Sequence, residues 1–193
     1  VNIELSIEKI SRIIFALKNY LNSNIKSEKK ETDLVQEMNK VLKIYDNYIR
    51  NKIVIEKHLP ETLNHFCFSE SICQVFKNLI FNSIQATYKV ENKKIIIKMM
   101  EIEEIPEYLK TYKNYENINM EVDENKILIS VIDFGEGINI EKQHKIFSPF
   151  FTTKSVGEGI GLGLYNCKKI IEEHNGTMLF KSVENFTEFV MIF

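Results

Sequence analysis

Residues 157–164 read Gly157-Glu158-Gly159-Ile160-Gly161-Leu162-Gly163-Leu164, with a glycine at every second position, and run straight into an apolar stretch of helical spacing. Bare backbone N–H groups at a helix N-terminus attract phosphate, and a chain without Cβ atoms can fold over it. The stretch lacks a Gly-Lys-Ser/Thr ending and does not follow a strand, so neither a Walker loop nor a dinucleotide fingerprint fits. Immediately upstream, Phe147, Pro149, Phe150 and Phe151 form a compact apolar hinge, followed by Thr152, Thr153 and Lys154. The expected structure is a lid, anchored at its base and mobile over its glycines, with Lys154 near the phosphates. A plain core patch would also account for the phenylalanines.

Working outward, a helix is expected over about 164–174, then two closing strands at 177–182 and 187–193. Only a short loop around Asn185 joins those strands, so they must be antiparallel. Earlier strand-like runs lie at 53–59, ended by Pro60, and at 94–101 and 127–133. Asp33 stands as an N-cap before Val35, Met38, Leu42, Tyr45 and Ile49, and Ser69 with Glu70 starts a helix running to about Tyr88. The polar, tyrosine-bearing insertion at 102–126 reads as a hairpin extension or a mobile loop without chemistry of its own. This order predicts a two-layer α/β sandwich, a mixed and largely antiparallel sheet with helices on one face.

Two further constellations could carry chemistry. Gln74, Asn78 and Asn82 are spaced four apart, so they stack along one face of their helix while Ile72, Val75, Phe76 and Leu79 line the other. Aligned amides on a core-forming helix point to a polar ligand or metal, although a solvated face is the plainer alternative. The run Asp133-Phe134-Gly135-Glu136-Gly137-Ile138 ends an apolar strand with an acid and a flexible turn. A sheltered carboxylate accepts hydrogen bonds from an exocyclic amine, and glycines let a flat ring approach the backbone, which is one way to read adenine. An ordinary strand-to-turn junction is the alternative.

The near-balance of charge, −2 with acids and lysines interspersed, builds no face for a nucleic-acid backbone, so nucleic acid is not an expected partner. Arg12 and Arg50 are the only arginines, which leaves lysines, backbone N–H groups or a metal to meet any anion bound beyond residue 50. Cys67, Cys73 and Cys167 are odd in number and form no C-x-x-C pair, which favours a reducing compartment over a disulfide framework or zinc site. No apolar run approaches the roughly 20 residues that cross a bilayer. The expectation is a cytoplasmic piece of a longer protein whose membrane attachment the sequence leaves open. At the start of the chain, Ile3, Ile7, Ile10, Ile14, Leu17 and Leu21 alternate steps of four and three, the seam of a helix that packs lengthwise in a bundle, with an ordinary amphipathic helix as the alternative. The polar segment 23–32 reads as a linker, so the chain divides into 1–27 and 28–193.

Taken in order, these segments resemble the ATP-binding superfamily that contains gyrase-type ATPases, Hsp90 chaperones, MutL and histidine kinases. Gln74 through Ala86 looks like its N box, Asp133 to Ile138 like its first glycine box, Phe147 to Phe151 like its F box, and Gly157 to Leu164 like its second glycine box. The resemblance implies a Bergerat fold binding ATP and Mg²⁺. It assigns Asp133 to the adenine amine, Asn82 to the metal, and Asn78 to the metal or phosphate. It also places Gly135, Gly137, Ile138, Phe147, Thr153, Lys154 and the lid residues Gly157, Gly159, Ile160, Gly161, Leu162, Gly163 and Leu164 around the nucleotide.

The ATP-hydrolysing branches of that superfamily carry a glutamate where this chain has Asn78, and an amide cannot activate water. Together with the F box, this makes a sensor histidine kinase the closest resemblance, and 7–22 resembles the second helix of its dimerisation hairpin. The implied reaction passes the γ-phosphate of Mg·ATP to a histidine on the dimerisation domain, with Asn78, Asn82 and Lys154 as catalytic residues, and then to a response regulator. The implied full-length protein is a homodimer. None of His58, His65, His144 and His174 has the setting of the acceptor histidine, so the acceptor is expected on a helix absent from this chain. Gln85 stands where many relatives carry a basic residue. An ATPase switch, a non-catalytic docking module and a serine kinase are the rival expectations.

Overall fold

The computed structural model describes residues 28–50, 52–88, 90–91, 93–117, 126–154 and 159–193. The expected N-terminal helix seam, half of the linker and Gly157 lie outside the described residues.

The first described element is a strand, β1 (Lys30–Asp33), where the end of a linker was expected. It pairs antiparallel with β3 (Asn64–Cys67), another short strand that shows no alternation long enough to read in the sequence. Asp33 then caps α1 (Leu34–Ile44) as expected, its Oδ1 accepting from Val35 N at 3.0 Å and from Leu63 N at 3.2 Å. One carboxylate thus starts the helix and clamps the two-stranded sheet to it. A single turn, α2 (Asp46–Ile49), leads to β2 (Val54–His58).

The main sheet has the order β2-β4-β5-β7-β6, built from β4 (Lys94–Ile102), β5 (Lys126–Asp133), β6 (Thr177–Val183) and β7 (Phe186–Ile192). Only the β2/β4 pair is parallel, and the closing pair is antiparallel as its short turn requires. Two longer helices, α3 (Ser69–Thr87) and α5 (Gly163–Glu173), join α1 on one face. Their contacts meet Ile95, Ile97 and Met99 from β4, Ile129 and Val131 from β5, Phe180 from β6, and Phe189 and Met191 from β7. These alternate positions form the core, as a period of two dictates. The expected two-layer α/β sandwich is therefore present.

The opposite face is covered too, which corrects the reading of 102–126. Its described part folds into 3₁₀ turns at Glu107–Thr111 and Tyr115–Asn117 and lies on Leu128, Leu179, Val190 and Ile192. Leu109 and Tyr112, three apart, are buried there, and Lys113 bridges to Phe180. Burying a leucine of this kind contributes roughly 2 kcal/mol, enough to hold a segment that otherwise looks like polar loop. Under it sits Glu188, 5% exposed, whose carboxylate accepts from Tyr112 Oη and from Ser130 Oγ, both at 2.5 Å.

Candidate nucleotide site

The longest helix is the common wall of the site. Ile72, Val75, Phe76, Leu79, Ile80 and Ile84 of α3 are buried, which turns Gln74, Asn78, Asn82 and Gln85 toward the opposite, half-exposed side. Asn78 Nδ2 donates to the carbonyl of Gly163 at 3.4 Å, tying α3 to the start of α5. Asn82 Oδ1 accepts from Lys154 Nζ at 3.0 Å, and Gln85 Oε1 accepts from the same ammonium. That ammonium also lies 5.7 Å from the centre of the Phe81 ring, itself stacked on Tyr45. A cation supplied by the hinge segment therefore occupies the amide face of α3.

Asp133 ends β5 and is 3% exposed. Its Oδ2 accepts from Ser83 Oγ at 3.3 Å and its Oδ1 from the Gly135 N–H at 3.1 Å. Burial pushes its carboxyl up to about 6, against the lowering effect of the Gly135 and Ser83 hydrogen bonds. The following turn sits hard against the end of α3. A Cβ on Gly135 would come within 2.6 Å of Ala86, and Glu136 N donates to the Ala86 carbonyl. At Gly137, with φ of +74°, a Cβ would lie 2.2 Å from the Val183 carbonyl oxygen, so only glycine fits. Ile138 is held through its backbone, its N–H donating to Ser182 Oγ at 2.8 Å.

The third segment closes from above. Gly161, with φ of +73°, leaves no room for a Cβ beside Phe150, whose own φ is +65°. Gly159 lies close to Thr152 and Lys154, while Leu162 is buried, Ile160 and Leu164 are half-buried, and Thr153 is exposed. The N-cap of α5 is Leu162, whose side chain makes no capping hydrogen bond. Phe147 is the candidate that the structure does not bring to this surface. Its ring packs edge-on to Phe180 and Phe189 at 5.7 and 6.4 Å, in the core beneath the hinge.

Two segments far from α3 in sequence thus meet on it, with Asn78 touching Gly163, Asn82 touching Lys154 and Ser83 touching Asp133. Sequence reasoning missed Ser83, although a serine among the apolar positions of α3 was a readable signal. It also missed Gln143 and Ser182, which hold the Asp133–Ile138 turn from below and belong to no local pattern. Among the described residues no group of three or more His, Cys, Asp or Glu converges to hold a metal.

Residues 68–193 match the model of the family described as histidine kinase-, DNA gyrase B-, and HSP90-like ATPase. The chain is 29% identical over 163 residues to an uncharacterized sensor-like histidine kinase, ycf26, of Porphyra purpurea, a match covering 80% of this chain and 23% of that protein. Among solved structures, the nucleotide-free catalytic domain of histidine kinase ThkA superposes with a TM-score of 0.65 at 32% identity, covering 86% of this chain and 95% of that one. ThkA in complex with the response regulator protein TrrA gives a TM-score of 0.68 at 29% identity, over 98% of this chain and 49% of that one. The chain belongs to the histidine kinase-, DNA gyrase B- and HSP90-like ATPase family, on its branch of histidine kinase catalytic domains. It spans about a quarter of the length of the curated kinase it matches over most of its own length.

Proposed function

We propose that this chain is the ATP-binding catalytic part of a sensor histidine kinase. The observation that carries the reading is the convergence of the amide face, the buried acid and the glycine segment on α3. Asp133 is oriented by Ser83 Oγ and the Gly135 N–H, and Gly135 and Gly137 let the following turn press against Ala86 and Val183; in this reading its carboxylate accepts from the exocyclic amine of a flat ring. The N-terminal end of the α5 dipole and the Lys154 ammonium supply positive charge for the phosphates.

The residues fit Mg²⁺ as well, because Asn82 Oδ1 already accepts a hydrogen bond from a cationic group, the ammonium of Lys154. Asn82 would hold the metal with its other ligands drawn from phosphate oxygens, in keeping with a site that gathers no cluster of carboxylates. Once bound, the metal neutralises charge that develops on the phosphates during transfer. Lys154 then moves its charge from the amides to the phosphoryl oxygens, and Asn78 lines the site without a carboxylate that could activate water. The γ-phosphate is thereby kept for an imidazole nitrogen. Its lone pair forms the N–P bond as the P–O bond to the β-phosphate breaks, and ADP leaves with the electron pair. Placement and charge neutralisation are the chain's whole contribution.

In this reading the acceptor histidine lies on the dimerisation domain of the same, homodimeric parent, the phosphoryl group passes on to a response regulator, and the domain works in the cytoplasm. No helix among the described residues is long and apolar enough to cross a membrane. The test supplies a histidine-bearing hairpin from the parent protein with labelled ATP. Acid-labile phosphate on the hairpin, abolished by Asn82→Ala, is expected. Steady phosphate release with no labelled hairpin would favour an ATPase and overturn the proposal.

A further inference from the structure

The turn that carries Asp133 is fastened at its far end by two buried side chains outside the four sequence motifs. Gln143, 7% exposed, is the last residue of α4 (Ile140–Gln143), a single turn started by Asn139, whose Oδ1 accepts from Glu141 N at 2.9 Å. Gln143 Nε2 donates one proton to the Ile138 carbonyl and the other to the Ser182 carbonyl, both at 2.9 Å. Ser182, 8% exposed, accepts from Ile138 N at 2.8 Å, donates to the Phe186 carbonyl at 3.1 Å, and meets Thr187 Oγ1 at 2.9 Å. Both polar backbone groups of Ile138 are thus held by side chains, and these anchor it to the tip of the β6–β7 hairpin. The neighbouring Gly137 is pressed against the Val183 carbonyl of that same hairpin.

We infer that Gln143 and Ser182 are positioning residues for base recognition, fixing the Asp133–Ile138 turn so that the Asp133 carboxylate meets the exocyclic amine of an adenine and rejects the carbonyl of a guanine. The inference rests on the nucleotide reading above and deepens it. Asp133 is fixed from one side by Ser83 and Gly135, but those bonds orient only its carboxylate. The backbone that would flank the base runs on through Gly137 to Ile138, and among the described residues the side chains that grip Ile138 are Gln143 and Ser182. A leucine at 143 would fill the volume of the glutamine and leave two buried carbonyls without that donor. The turn could then relax, and discrimination would suffer more than phosphate binding, because a misplaced acceptor reads neither base well.

The test measures ATP and GTP affinity calorimetrically for the unsubstituted chain and for Gln143→Leu, Ser182→Ala and Ser182→Thr, with thermal unfolding alongside. Gln143→Leu and Ser182→Ala should lower ATP affinity by about tenfold, the scale of one hydrogen bond to a charged group, with little change for GTP. Ser182→Thr, which keeps the hydroxyl, should restore the ATP/GTP ratio. A merely structural role would lower the melting temperature and leave the ratio unchanged, and that outcome overturns the inference. Should either variant fail to fold, hydrogen exchange at the Ile138 amide of the unsubstituted chain decides the matter. ATP should slow that exchange and GTP should not, and equal effects overturn the inference. Absence of any ATP binding by the unsubstituted chain would overturn the nucleotide reading itself, and this inference with it.

Discussion

Ser83 Oγ lies 3.3 Å from Asp133 Oδ2, across a separation of fifty residues, and this contact joins the helix that bears the amides to the strand that bears the acid. It is buried on both sides and sets the depth of the site, since the glycine turn after Asp133 then has Ala86 as its floor.

If Asp133 reads the adenine amine as proposed, nucleotide binding should depend on pH. Burial raises the carboxyl of Asp133 to about 6 in the folded chain, above the ordinary 3.8. A raised folded value means that its contribution to stability is fully present below about 3.8 and is lost as pH rises through about 6. Adenine recognition runs the other way, because it needs the carboxylate. ATP affinity should therefore fall as pH drops through about 6 while the free chain loses no stability at this residue. Asp133→Asn should weaken ATP by about tenfold to a hundredfold and flatten this dependence, without destabilising the free chain. Calorimetry between pH 5 and 8, set against thermal melts at the same values, checks both signs.

Lys154 bridges the hinge and α3, its ammonium donating to Asn82 and Gln85, and the proposed function has it move to the phosphates. Lys154→Met should lower Mg·ATP affinity by about tenfold, the scale of a charge-assisted hydrogen bond, and change the melting temperature little, because the side chain is only half-buried. A variant with intact affinity would remove Lys154 from the site.

The neutral imidazole of His174 is a structural part. Its Nδ1–H donates to the Ile170 carbonyl at 2.7 Å and its Nε2 accepts from Phe68 N at 3.0 Å, linking the end of α5 to the start of α3. Burial holds its pKa below the ordinary 6.5, with the charge of Lys29 acting in the same direction, and His65 beside it is lowered by burial, by His174 and by Lys29. A lowered histidine leaves stability intact above about 6.5, and stability falls as pH drops below it, because the unfolded chain takes up the proton first. The two histidines should pull the melting temperature down between pH 6.5 and 5, against the opposite pull of Asp133, and His174→Gln should remove part of that downward contribution while lowering the value at pH 7.5.

On the far face of the sheet, Tyr112→Phe deletes one of the two hydroxyls that hold the buried Glu188 carboxylate. Stability should fall by roughly 1–3 kcal/mol in denaturant unfolding, with ATP affinity unchanged. A matching loss of affinity would show that the insertion is coupled to the site.

The main sheet and the long helices were legible because their apolar periods run for whole elements, as in 127–133 and along α3. The site motifs were legible because glycine, asparagine and aspartate at those spacings serve few other ends. The short pair β1 and β3 was not, since four residues give too brief a pattern and the pairing is decided by contacts between distant segments. The insertion misled because its burial centres on Leu109 and Tyr112, with Ile105 and Tyr115 packed alongside, set among charges. Ser83, Gln143 and Ser182 act through tertiary contacts between residues 39 to 50 apart, which no local spacing encodes. Phe147 has the composition of a binding residue, yet two phenylalanines of the sheet claim its ring.

The most direct test follows the amide resonances of Ser83, Gly135 and Gly161 and the side-chain amide of Asn82 while Mg·ATP is added. A single nucleotide cavity predicts that all four shift together along one saturation curve, and that Asp133→Asn displaces the curve for all of them. Shifts confined to one of the three segments, or separate curves for Asn82, Gly135 and Gly161, would contradict it.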